Sequence, residues 1–281
     1  NVPHITMFHT LGVVKNAIGI GEDEPELRIE MERNLARNCH YIIATTEREK
    51  DELILYYGAL PERIGVVPCG VNLEQFKPVS KERAKQSLSF GSDKIILFVG
   101  RIDPLKGLDK LIKAIPYLQN IQGLRLLVIG GDEYSQREIK QLQELSCALN
   151  IQDSVIFLGI IKHDQLPSYY SAADVCVIPS YYESFGMVAL ESLACGTPVV
   201  ATDVGSLKSV IHQGETGYVI AQNAPRCLAD KIALLLYKPI TDTESALSIR
   251  ASVSRFGWSN IAEEIIKECQ LVLANYLNLV Y

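Results

Sequence analysis

The sequence predicts an α/β protein built on an open, doubly wound parallel sheet, and three observations carry that prediction. Ile95-Ile96-Leu97-Phe98-Val99 is an unbroken apolar run ending in Gly100, as expected of a parallel strand buried on both faces. Further apolar runs follow at 125–129, 155–158, 175–178, 198–201 and 217–220. Helical patterns at 135–149 and 166–172 separate them, and strand–helix alternation of this kind implies helices on both faces of a sheet.

Ahead of this region the pattern is sparser. Ile5-Thr6-Met7-Phe8 reads as a short strand that ends in a Gly-containing loop, His9-Thr10-Leu11-Gly12. A polar stretch, 19–26, precedes a helix over 27–38, whose apolar stripe is Leu27, Met31 and Leu35. Tyr41-Ile42-Ile43-Ala44 is a strand, and Thr45-Thr46 before Glu47-Arg48-Glu49 has the character of a helix start. Residues 64–67 form another strand, 72–80 a linker containing Pro78, and 81–88 a short charged helix. A final amphipathic helix covers 258–276.

The net charge of −6 disfavours a nucleic-acid partner, since polyanion binding needs a basic surface. No apolar run is long enough to span a bilayer, and no leader is expected ahead of the first strand; peripheral membrane contact stays open. The seven cysteines are scattered without a CxxC pair, which suits buried thiols in a reducing, cytoplasmic setting better than a disulfide framework or a zinc site.

Ligands of doubly wound sheets sit beyond the carboxyl ends of the strands, and the candidate residues lie there. Arg101 and Lys106 follow the strand at 95–99. Together they could clamp a diphosphate, Arg as a planar fork and Lys as a point charge; two solvated loop cations would look the same. Glu183-Ser184-Phe185-Gly186-Met187-Val188 and Glu191 follow the strand at 175–178. A helix starting near Gly186 would offer unpaired backbone N–H groups to an anion, and the two glutamates could face one cleft or merely be an N-terminal acid and a solvated neighbour. His9 ends the first strand, and its imidazole could meet a sugar hydroxyl or be structural. Thr10, Lys15 and Arg28 lie nearby in sequence and could bind an anionic acceptor. No DxD, GxSxG, HExxH, Walker loop or strand-borne GxGxxG occurs, so neither a metal nor a nicotinamide cofactor is expected.

These residues form an ordered set: His9-Thr10-Leu11-Gly12, Pro68-Cys69-Gly70-Val71-Asn72 before Phe76, Gly100-Arg101 with Lys106-Gly107, Pro179-Ser180, Glu183 through Glu191, Gly196-Thr197-Pro198, and Gly214 with Thr216-Gly217. The set resembles the group 1 (family 4) retaining glycosyltransferases of GT-B architecture. The stretch from His9 to Asn16 with Arg28 looks most like two branches that use phosphorylated acceptors, the mycothiol inositol-phosphate N-acetylglucosaminyltransferases and the sucrose-phosphate synthases. The resemblance implies two Rossmann-like sheets, the N-terminal one truncated. It divides the chain into an acceptor-side remnant at 1–78, a nucleotide-sugar domain at 79–255 and a returning helix at 256–281.

By position, the resemblance assigns the donor diphosphate to Arg101, Lys106 and the amides of Phe185, Gly186, Met187 and Val188, and the ribose to Glu191. It assigns the base to Gly159 and Ile160, the donor sugar to His9 and Glu183 as catalytic residues, and an acceptor phosphate to Thr10, Lys15 and Arg28. The implied activity is retaining transfer of a hexose-type sugar from a nucleoside diphosphate to a small molecule or glycan. The alternatives are a non-catalytic nucleotide-sugar-binding module and a sugar-nucleotide epimerase. Members of the family carry a Gly-rich loop and strands upstream of the position of His9, so the fragment alone is expected to bind nucleotide with little turnover.

Overall fold

The computed structural model describes residues 2–280, with side chains described as far as Tyr276. Two parallel sheets are present. The first has the order β1-β2-β3, with β1 Ile5–Met7, β2 Tyr41–Ala44 and β3 Ile64–Val66. The second has the order β6-β5-β4-β7-β8-β9, with β4 Lys94–Val99, β5 Leu124–Ile129, β6 Val155–Gly159, β7 Val175–Ile178, β8 Val199–Thr202 and β9 Gly217–Ile220. The order reverses between β4 and β7, which puts the ligand crevice beyond the ends of those two strands.

Alternation builds the six-stranded half. Ile95, Leu97, Leu127, Ile129, Cys176, Ile178, Val199 and Ala201 face one core with Leu166, Tyr170, Leu190 and Leu193. Ile96, Phe98, Leu126, Val128, Val175, Val177 and Val200 face the other with Leu111, Ile112, Leu228 and Ile232. Side chains alternate along a strand, so a strand covered on both faces has to be apolar at every position. The helix Lys81–Ser87 is less solvated than its charges suggest. Asp174 accepts from Lys85 at 2.8 Å, Lys81 at 3.2 Å and the Ile95 amide at 2.9 Å, pinning the helix to the sheet.

The three-stranded half has one core around Phe8, Leu11, Ile42, Leu53 and Tyr57. Its other face is covered by the last helix, Trp258–Val280, through Ile261 and Ile265 against Ile5, Met7, Ile43 and Val67. Tyr41 donates to Glu268 at 2.6 Å across this contact. The chain crosses between the halves near Val71 and returns near Gly257, and the two crossings are bonded: Val71 N–H to Phe256 O at 2.8 Å and Trp258 N–H to Val71 O at 3.3 Å. Arg250 donates to the carbonyls of Leu73, Phe76 and Ala194, fixing the linker on the six-stranded half.

Two local expectations are corrected. Gly12 does not lie in a loop but opens a helix, Gly12–Ile18. In the helix Glu26–Asn38 the stripe Leu27–Met31–Leu35 is not the buried one: Leu27 and Met31 are 64% and 57% exposed, while Ile29 and Ala36 are buried. The helix docks on its neighbours through Ile29, Glu32 and Ala36, because Glu32 is needed there as a hydrogen-bond acceptor.

Candidate active site

Each candidate on the donor side hangs from a strand end. Gly100 and Arg101 follow β4. Gly130 and Gly131 follow β5, and Gly130 has φ +132° with its N–H on Gly159 O at 2.8 Å. A Cβ at Gly130 would stand 1.8 Å from Gly100 O, so the two strand ends approach only because no side chain intervenes. Gly159 thus spends its carbonyl on Gly130, and Ile160 beside it is 72% exposed.

A cavity of about 840 Å³ opens between the two halves. Arg101, Gly130, Gly131, Ile160 and Ile161 line it from the six-stranded side, and Lys15 with residues 20–25 from the other. Its rim is acidic: Glu22, Asp23, Glu24, Asp103, Asp132 and Glu138 outnumber Lys15 and Arg101. The Arg101 side chain is 71% exposed, with Asp103 at 3.5 Å.

Lys106, Glu183 and Glu191 do not line this cavity. Lys106 Nζ pairs with Glu183 Oε1 at 2.7 Å, and Ser180 donates to the same oxygen at 2.8 Å. Glu183 and Ser184 instead line a smaller pocket of about 60 Å³, facing Thr46, Glu49 and Glu52 of the three-stranded half. Glu49 is buried, which raises its pKa, while the N–H and hydroxyl of Thr45 bond Oε2 at 2.6 and 2.5 Å and oppose that rise. His9 is exposed.

The helix Met187–Ala194 starts at Gly186, whose φ of +106° makes the sharp entry. The N–H groups of Met187 and Val188 head the helix and have no partner one turn back. The Phe185 ring is core, packed on Phe256 with centroids 6.1 Å apart, and its carbonyl accepts from Ser206 N–H at 3.1 Å and Ser206 Oγ at 2.6 Å, which leaves neither ring nor carbonyl to meet a ligand. Glu191 is 8% exposed, not a solvated acid. Its oxygens accept from Tyr170 Oη at 2.8 Å and lie 3.0 Å from His163 Nε2.

Thr10, Lys15 and Arg28 do come together, but not as free cations. Arg28 bonds Thr10 Oγ1 at 2.6 Å, Glu32 at 2.8 Å and Glu24 at 2.5 Å, and Lys15 also pairs with Glu24. The bond from Lys15 pulls the Glu24 carboxyl below its usual pKa, against the effect of burial and aided by Arg28. Two cations and two carboxylates leave this cluster without net charge.

Sequence reasoning missed Gly130-Gly131, although they follow a strand just as Gly100-Arg101 do. It also missed Glu24 and Glu32, whose spacing of four on either side of Arg28 was legible.

Two Rossmann-like sheets with their strand ends facing a common cleft define the GT-B class. Residues 79–252 match the family described as "Glycosyl transferases group 1", and residues 1–75 match "Glycosyltransferase Family 4". The chain belongs to the group 1 glycosyltransferase family. D-inositol 3-phosphate glycosyltransferase 2 of Catenulispora acidiphila is 39% identical over 270 residues, covering 93% of this chain and 63% of its own. The D-inositol 3-phosphate glycosyltransferase of Acidothermus cellulolyticus is 38% identical, covering 94% and 61%. The chain therefore spans a little over three-fifths of these curated relatives. The structure of sucrose-phosphate synthase from Thermosynechococcus elongatus superposes with a TM-score of 0.83 at 34% identity, over 96% of this chain and 68% of that one. Anabaena HepE, solved with UDP and glucose, shares the fold with a TM-score of 0.80 at 22% identity, over 94% and 70%. No helix among the described residues is long and apolar enough to cross a membrane.

Proposed function

We propose that this chain carries the donor site and part of the acceptor site of a retaining glycosyltransferase, moving a hexose-type sugar from a nucleoside diphosphate to a phosphorylated small molecule. The observation that carries this reading is the cleft itself, with Arg101 on the donor wall and the Thr10–Lys15–Arg28 cluster beside the opposite wall. Arg101 and Lys106 neutralise the departing diphosphate, with the amides of residues 186–188. Charge stabilisation of the leaving group is the main lever in such chemistry. Glu191 accepts from the ribose, and its bond to Tyr170 fixes the carboxylate for that task. Gly159 and Ile160 flank the base. Glu183 and His9 meet the donor sugar, and the leaving phosphate itself takes the acceptor's proton on the front face.

The neutral acceptor cluster adds a condition. A phosphate has to displace Glu24 from Lys15 and Arg28, and so moves the segment around residues 19–26. The relatives named for D-inositol 3-phosphate and the sucrose-phosphate synthase fold support a phosphorylated acceptor.

The test, made with this chain joined to the N-terminal segment its relatives carry, is acceptor-dependent release of UDP from UDP-sugars, with the anomeric configuration of the product read by NMR. Inositol phosphate is compared with inositol, in wild type and in Arg28→Ala. The expected result is a preference for the phosphorylated acceptor that shrinks in the variant. Equal use of both acceptors by the wild type would overturn the phosphate assignment, and an inverted product would overturn retention.

A further inference from the structure

The helix Gly12–Ile18 starts at Leu11 with no side-chain cap of its own, so its first amides need acceptors from elsewhere. Three tertiary groups supply them. Gly12 N–H donates to Glu32 Oε2 at 3.0 Å, Val13 N–H to Tyr57 Oη at 3.0 Å, and Leu11 N–H to Tyr182 Oη at 3.2 Å. Glu32 and Tyr57 belong to the same half as the helix. Tyr182 comes from the other half, 171 residues downstream, in the loop after β7.

The placement of Tyr182 is deliberate on both sides. Its side chain, partly buried, packs against the core cluster of the three-stranded half, and burial there pushes its phenol up to about 12. Its chain neighbours are tied to the six-stranded half: Tyr181 N–H bonds Leu105 O at 2.7 Å, and Glu183 pairs with Lys106. A single residue therefore joins the loop that carries Glu183 to the segment that carries His9 and Thr10.

We propose that Tyr182 is a positioning residue, whose hydroxyl docks the Glu183 loop on the Leu11 amide and so sets His9 against the donor sugar and Thr10 on the acceptor side. This rests on the glycosyl-transfer reading above. Leu11 is 1% exposed, so water cannot readily replace the phenol as acceptor, and the bond exists only while the halves are together. A ligand that orders the Glu183 loop favours that arrangement by as much as its affinity differs between the two states.

The test is Tyr182→Phe in the full chain, which keeps the ring and removes the hydroxyl. Amide hydrogen exchange is read at Leu11, with Val13 as the internal control because its acceptor, Tyr57, lies in the same half. Exchange at Leu11 is expected to quicken by about tenfold, as for loss of one hydrogen bond of ordinary strength, while Val13 stays unchanged. UDP is expected to slow Leu11 exchange in wild type and not in the variant, with UDP affinity by calorimetry equal in both. In the transfer assay kcat is expected to fall about tenfold at unchanged donor KM, the mark of a residue that matters in the transition state and not in holding the donor. Unchanged Leu11 exchange overturns the docking, and faster exchange with unchanged kcat overturns the positioning role. A wild type that shows the UDP-dependent exchange difference but transfers no sugar even when joined to the N-terminal segment its relatives carry supports the docking and counts against the transferase reading alone.

Discussion

The two halves of the molecule place functional groups by different means. In the six-stranded half the backbone does it: two apolar cores clamp every strand, and the groups facing the cleft sit on strand ends that glycines let approach. In the three-stranded half side chains do it: Lys15 and Arg28 are held by Glu24 and Glu32, Arg28 in turn bonds Thr10, and the helix behind them is capped by tertiary acceptors. A backbone-built wall is rigid and fails by steric clash. A charge-built wall is adjustable and fails gradually, with pH or with a competing anion.

The largest expected effect tests the rigid wall. Gly130→Ala would put a Cβ 1.8 Å from Gly100 O at a φ of +132°, so a loss on the order of 4 kcal/mol of stability is expected, as for other changes that strain special backbone positions. Urea unfolding measures it, and a loss under about 1 kcal/mol would mean that the strand ends adjust and the contrast between halves is false.

Next are the cations of the same wall. Arg101→Ala and Lys106→Ala are each expected to lower the transfer rate on the order of 10² to 10³, with cooperative unfolding retained. Lys106→Ala also strips the partner from Glu183, so it should melt lower than Arg101→Ala, whose guanidinium is exposed. Calorimetry with UDP and single-turnover transfer measure the first claim, and a thermal melt the second.

A smaller change is expected for Glu191→Gln. The amide keeps one acceptor oxygen for Tyr170 but loses the second, so UDP affinity should drop about tenfold, the scale of one hydrogen bond to a charged group. Pyrophosphate affinity should hold. Equal losses for both ligands would show that Glu191 acts through the buried Tyr170 contact alone.

The adjustable wall gives the smallest effect. Glu24→Gln is expected to cost about 1 kcal/mol, the upper end of the range for exposed pairs, since Glu24 and its partners are half-buried, and to tighten binding of inositol phosphate by freeing Lys15 and Arg28. The folded pKa of Glu24 lies below its ordinary value of 4.5, so the folded state holds fewer protons in the interval between the two. Its stabilisation is therefore full above pH 4.5 and fades as pH falls through the lowered value. A melt series between neutral and acid pH should show this fading in wild type and not in Glu24→Gln.

The same contrast explains what the sequence could reveal. Residues 95–99 and 175–178 were legible as strands because burial on both faces leaves an apolar residue at every position. The helix Glu26–Asn38 misled, because one position of its docking face is occupied by Glu32, which bonds Gly12 N–H and Tyr57 rather than reading as apolar. Arg101, Lys106 and Glu183 were found by their place after strands. That Lys106 would meet Glu183, 77 positions away, left no local trace because β4 and β7 become neighbours only in the folded sheet, and that Tyr182 would meet the Leu11 amide left none because that pair is set by how the halves meet.

The paired crossings at Val71 and Gly257 have a mechanical consequence. Two neighbouring chain segments joined by Val71 N–H to Phe256 O and Trp258 N–H to Val71 O act as a hinge with one pin. Sliding one half along the other would break both bonds, whereas rotation about the pair leaves them intact. Arg250 clasps the linker on one leaf and the helix Trp258–Val280 is riveted to the other by Ile261 and Ile265. Motion of the two walls is thereby expected to favour rotation about the Val71–Gly257 pair over sliding, because only rotation keeps both bonds.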